Sequence, residues 1–105
     1  MADTILSQFI SRTKDLQKKI QAAYLFGSRA RATERPDSDY DLLLVVTQDF
    51  SLSDKDKLYD GVMDILLETG RLISLKIFKE REFQRLRELE TPFIQNVLRE
   101  GIKIG

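Results

Sequence analysis

One stretch, Leu25 to Val46, constrains the fold more than any other. It reads LFGSRARATERPDSDYDLLLVV. Ala22 to Phe26, leading into it, is short and apolar and contains two aromatics, as a buried strand requires. Gly27 breaks that run. Ser28 can cap a helix, and Ser28 to Ala32 is rich in Ala and Arg, both good helix formers. After a ten-residue spacer following Ser28 come two aspartates separated by a single residue, Asp39 and Asp41. Leu42 to Val46 is then continuously apolar, the pattern of a strand covered on both faces. Strand, glycine turn, helix start and second strand together define an α/β chain.

The same order of elements carries chemistry. A glycine turn leading from a strand into a helix N-terminus leaves free backbone N–H groups and a dipole that favours anions. A Cβ at Gly27 would crowd a phosphate approaching the backbone. The Ser28 hydroxyl adds a donor, and Arg29, Arg31 and Arg35 lie close by with guanidinium groups that match phosphate geometry. Asp39 and Asp41, two residues apart at the start of a strand, would face the same side. Carboxylates that close repel unless a cation lies between them. Mg²⁺ prefers such oxygen ligands and commonly completes its shell with water and substrate phosphates. A phosphate cradle beside a divalent-metal clamp suits phosphoryl or nucleotidyl transfer.

Taken singly, each feature is ordinary. Gly-Ser after a strand is usually a turn, and aspartates near Pro36 are usually loop chemistry. The combination, in this order, carries the weight. Two rival motifs are excluded. Asp37-Ser38-Asp39-Tyr40-Asp41 resembles the start of an EF-hand loop, but the required Gly and Glu positions hold Leu42 and Gln48. No P-loop pattern follows Gly27.

Gly27-Ser28, the spacer and Asp39-x-Asp41 resemble the signature of the DNA polymerase β-like nucleotidyltransferase superfamily. The length and the form GSRARA…RPDSDYDLLLVV resemble its minimal nucleotidyltransferase branch, and the likeness extends over almost the whole chain to the closing TPFIQNVLREGIKI. The resemblance implies a polymerase β-like fold, a small mixed sheet of at least three strands packed with helices. It implies transfer of a nucleoside monophosphate, typically AMP from Mg-ATP, to an acceptor. Asp39 and Asp41 would then be catalytic and metal-binding, with Gly27, Ser28, Arg29 and Arg31 at the nucleotide phosphates. It also implies a HEPN-type partner protein, the two acting as antitoxin and toxin, with AMP transferred to that partner in some relatives.

One departure stands out. The superfamily usually places a third carboxylate on a later strand, as metal ligand and base. The matching strand here is Leu72 to Phe78, with Ile73, Leu75 and Ile77 on its apolar side and Ser74 and Lys76 on the other. No acid lies between Arg71 and Lys79; the nearest are Glu68 and Glu80. The place of the third acid is expected to hold Ser74 or Lys76. That leaves two functions open: a nucleotidyltransferase working with two acids, or a catalytically weak or inactive module that acts by docking to a partner.

Composition narrows the chemistry further. With 105 residues the chain suits a single domain spanning 1–105. Acids equal bases, so zero net charge argues against a general nucleic-acid binder. No cysteine or histidine is present, which removes thiol catalysis, cysteine zinc sites and histidine bases. Any catalysis must run on carboxylates, metal and cations. No signal peptide or membrane-length apolar run is apparent, so a cytoplasmic protein is expected. Larger relatives carry additional domains that grip base and acceptor, so a homo-oligomer or hetero-complex is expected to supply those contacts here.

The remaining segments read as scaffold. Asp3 caps a first helix running to about Lys19, with Ile5, Phe9, Leu16 and Ile20 inward. Ser53 with Asp56 resembles a capping box for a helix running to about Thr69, buried through Leu58, Val62, Ile65 and Leu66 and stopped by Gly70. On its outer side Asp56, Asp60, Asp64 and Glu68 read as a solvated acidic face. A charged helix from about Glu80 is anchored by Phe83 and Leu86. Thr91-Pro92 caps and starts a last helix whose Phe93, Ile94, Val97 and Leu98 pack inward or against a partner. Gly101 ends it, and Ile102 and Ile104 alternate in a short tail suited to adding an edge strand or to binding another protein. Tyr40 reads as core, on the strand face opposite the aspartates.

Overall fold

The computed structural model describes residues 4–27 and 40–104. Four strands form one mixed sheet in the order β3-β2-β1-β4. They are β1 (Ile20–Phe26), β2 (Tyr40–Val46), β3 (Ile73–Lys79) and β4 (Ile102–Lys103). β1 runs antiparallel to β2 and to β4, whereas β2 and β3 are parallel. A parallel pair cannot be joined by a tight turn; here the crossover is α2 (Leu52–Thr69). The other helices are α1 (Thr4–Arg12), α3 (Glu80–Glu88) and α4 (Pro92–Glu100). The expected small mixed sheet packed with helices is what the chain forms, with β4 as the anticipated edge strand.

The helices cover the sheet on both sides. Leu6, Phe9, Leu58, Val62 and Ile65 of α1 and α2 pack with Tyr40, Leu42, Leu44 and Val46 on one face. Phe83 of α3 and Ile94 and Val97 of α4 pack with Leu43 and Val45 on the other. Successive strand residues point to opposite faces, so β2 must be apolar at every position between the layers. Leu42 to Val46 are all at most 4% exposed, as the sequence pattern required. Tyr40 belongs to the α1/α2 side and is buried, as expected.

Local chemistry explains where the elements differ from the sequence expectations. The first helix does not reach Lys19 as α-helix: it ends at Arg12 and the chain tightens into a 3-10 turn over Lys14–Lys19. Thr13, buried at the junction, donates its hydroxyl to the Phe9 carbonyl at 2.8 Å, beside the bond from its own N–H at 3.0 Å. Gly61 of α2 lies against this point: a Cβ there would stand 3.6 Å from Thr13 Cγ2. The capping box is at Ser51 and Asp54, not Ser53 and Asp56. Ser51 N–H donates to Asp54 Oδ2 at 2.9 Å and Asp54 N–H donates to Ser51 Oγ at 3.1 Å. Lys19 also donates to Asp54 Oδ2, at 2.9 Å, which ties the start of α2 to the start of β1. Those contacts hold the Asp54 carboxyl at about 2, the Ser51 N–H first among the causes and the Lys19 ammonium second. The same hydrogen bond raises the Lys19 pKa.

Gly70 ends α2 with φ +75°, as expected. Thr91 occupies the N-cap of α4 without capping through its hydroxyl, which donates to the Leu86 carbonyl at 3.5 Å. Of the four apolar residues of α4 expected to pack inward or against a partner, Ile94 and Val97 are buried, whereas Phe93 and Leu98 are exposed. No helix among the described residues is long and apolar enough to cross a membrane.

Candidate functional site

The site forms where β1 ends and β2 and β3 begin. Antiparallel pairing sets Phe26 opposite Asp41, and the residue after Phe26 is Gly27. Gly27 has φ +79°, a backbone conformation that side chains with a Cβ avoid. The space a Cβ would take is already filled: it would stand 2.6 Å from Asp41 Oδ2 and 3.4 Å from Asp41 Cγ. The glycine turn and the second aspartate of the motif, separated in sequence, are therefore in direct apposition. The glycine is required twice, by its backbone conformation and by the carboxylate lying over it.

The parallel partner of Asp41 on β3 is Ser74, and that of Leu43 is Lys76. Paired residues share a sheet face, so the two alternatives left by the sequence resolve to Ser74 beside Asp41. Lys76 lies one step further along the strand, exposed. The neighbouring acids in sequence are engaged elsewhere. Glu68 accepts from Arg12, which also pairs with Asp64 at 3.5 Å. Glu80 accepts from the Gln21 side-chain amide, at the far end of the sheet. The acidic row on α2 is thus exposed and partly ion-paired, the solvated face expected of it.

Asp39, Ser28, Arg29, Arg31 and Arg35 lie outside the described residues. Of the sequence-derived site, the structure brings together Gly27 and Asp41. It adds two groups the sequence did not single out. Arg71 stands just before β3, whose neighbouring Leu72 carbonyl accepts the Tyr40 N–H at 3.0 Å. Its Nη1 is buried without a hydrogen-bond partner among the described residues. Phe93, from α4, meets Phe26 edge-on with ring centroids 5.5 Å apart at 85°. Neither carries a local sequence signal, because each is placed by strand register and helix docking.

The donor set suits a hard cation. Asp41 and Ser74 present only oxygen, the ligand type Mg²⁺ prefers. Among the described residues no group of three metal-ligating side chains clusters.

A family model of the polymerase beta nucleotidyltransferases matches residues 8–105. A protein of Methanocaldococcus jannaschii named as a proposed protein adenylyltransferase is 31% identical over 97 residues, covering 91% of this chain and 90% of that one. Two solved structures share the fold. One, a toxin–antitoxin with AMP-PNP, has a TM-score of 0.57 at 20% identity over 92% of this chain and 69% of that chain. The other, a mutant of the toxin–antitoxin MntA–HpeT, has a TM-score of 0.55 at 15% identity over the same shares. The chain belongs to the polymerase β nucleotidyltransferase family.

Proposed function

We propose that this protein transfers a nucleoside monophosphate, AMP from ATP, to a hydroxyl on an acceptor, and that the acceptor is a protein. The observation that carries this reading is the apposition of Gly27 and Asp41: a backbone turn able to receive phosphate, with a carboxylate lying over it. The kinship with a proposed protein adenylyltransferase favours a protein acceptor. The fold shared with toxin–antitoxin complexes favours a partner chain, a HEPN-type toxin being the candidate.

In this reading Gly27 and Ser28 hold the triphosphate by backbone N–H groups, and Arg29 and Arg31 balance its charge. Asp39 and Asp41 would hold Mg²⁺, which when bound neutralises phosphate charge and orients the reacting oxygens. The acceptor oxygen attacks the α-phosphorus in line. The bond from that phosphorus to the bridging oxygen breaks, pyrophosphate leaves, and the acceptor's proton passes to solvent. Ser74 cannot take that proton as a carboxylate would.

Ser74 also supports a second reading, a docking module with weak or no catalysis. On the outer side of α2, Leu52, Tyr59, Met63 and Leu67 are all exposed. Such a row suits a protein partner. Calorimetric titration with ATP, with and without Mg²⁺, separates the readings. Mg²⁺-dependent binding that is lost in Asp39→Asn/Asp41→Asn supports the transferase. No binding at millimolar ATP, alone or with the HEPN-type partner present, overturns it and leaves the docking module.

A further inference from the structure

A nucleotide held at Gly27 and Asp41 needs somewhere to put its base, and the sequence shows no residue that reads one. The structure places an aromatic pair beside Gly27 and Asp41. Phe26 is the direct cross-strand neighbour of Asp41, and paired residues of antiparallel strands lie on the same face, about 4.5–5.5 Å apart. Phe93 stands next to Phe26, in the first turn of α4. The two rings are perpendicular, so at least one keeps both of its faces clear of the other. Phe26 is half-buried beneath the sheet-to-helix packing. Phe93 is 40% exposed, although its neighbour Ile94 is 1% exposed and Val97 2%. An aromatic ring therefore stands in solvent at the rim of the phosphate turn, held in orientation by a second ring fixed in the sheet.

We infer that Phe93, braced by Phe26, is the face on which the nucleobase rests. The inference depends on the nucleotidyltransferase reading above and deepens it. The chemistry matches: stacking on an aromatic ring covers apolar surface that is otherwise left in water, and it aligns the base without hydrogen bonds. Every base has a π-face, so a platform of this kind contributes affinity and little selectivity. ATP and GTP should therefore bind within a few fold of each other, and specificity for ATP, where it exists, would have to come from the partner chain.

The test is titration of wild type, Phe93→Ala, Phe93→Tyr and Phe93→Leu with Mg-ATP and with Mg-tripolyphosphate, which carries the phosphates without base or ribose. Removing a base-stacking ring costs about five- to a hundredfold in affinity. Phe93→Ala is expected to lose ATP affinity by that factor and keep tripolyphosphate affinity; Phe93→Tyr is expected to retain both. Phe93→Leu keeps apolar bulk without the π-face, so it reads the same loss where the alanine variant does not fold. Equal ATP affinity in wild type and variants overturns the platform and leaves the phosphate site intact. Parallel loss of both ligands also overturns it, since the ring would then be holding the fold. Binding of neither ligand by wild type, alone or with the HEPN-type partner present, overturns the nucleotide reading together with this one.

Discussion

Asp41 and Ser74 are paired in parallel register on neighbouring strands, which sets a hydroxyl on the same sheet face as the carboxylate that lies over Gly27. A neutral oxygen there contributes less to cation binding than a charged one. Ser74→Asp is expected to tighten Mg²⁺-dependent ATP binding by about tenfold, since affinity for hard cations rises with ligand charge count. Titration of Mg²⁺ at fixed nucleotide measures it. Unchanged or weaker binding would show that Asp41 and position 74 do not share a cation.

A side chain at Gly27 meets both backbone strain and the Asp41 carboxylate. Gly27→Ala would place an L-residue in the left-handed region, at about 1–2 kcal/mol, and drive its Cβ into the Asp41 carboxylate. The expected result is a modest drop in thermal stability with a much larger loss of nucleotide binding. A variant that binds nucleotide normally would show that the Asp41 carboxylate has room to move.

The junction of Ser51, Asp54 and Lys19 gives a pH dependence with a definite sign. Folding lowers the Asp54 pKa to about 2, so the unfolded chain binds that proton more readily. The stabilisation is complete above the ordinary carboxylate pKa and is lost as pH falls through it towards about 2. For Lys19, raised by the same contact, the contribution holds below the ordinary lysine value and is lost as pH rises beyond it. The urea midpoint of Asp54→Asn should lie below that of wild type near neutrality, and the gap should close on acidification. A gap independent of pH would refute the linkage.

Two residues of α2, one position apart from adjacent, should respond oppositely to truncation. Ile65 is fully buried beneath the sheet, whereas Leu67 is 77% exposed. Ile65→Ala is expected to cost about 2–5 kcal/mol, and Leu67→Ala to stay within about 0.5 kcal/mol. Urea denaturation of the isolated chain reads both. A large cost for Leu67→Ala would mean that its face is already covered, by a second copy.

Elements governed by long apolar runs or by Gly and Pro were legible in the sequence. β2 is hydrophobic throughout because two layers cover it, and Gly70 and Pro92 act within a single turn of chain. The cap of α2 was not legible. Ser51-x-x-Asp54 and Ser53-x-x-Asp56 overlap in one stretch and obey the same rule. What separates them is Lys19, which reaches Asp54 from the other side of the fold. The end of α1 likewise depends on Thr13 turning its hydroxyl back on Phe9 where α2 packs closely. At the candidate site the motif announced Gly27 and Asp41, but strand register alone chose Ser74 over Lys76. Phe93 reached Phe26 through helix docking, which no local pattern encodes.

The position of β3 has a consequence for how copies of this chain meet. Among the described residues β3 is an outer strand, so one side of its backbone has no strand neighbour. Open edges invite pairing with another chain. A protein with as many acids as bases has no overall repulsion near neutral pH to prevent it. Lys76 and Lys79, both exposed on this strand, supply the charge locally. Neutralising Lys76 and Lys79 would strip this border of the charge that its own strand carries and leave its open backbone as a place for a second chain to adhere.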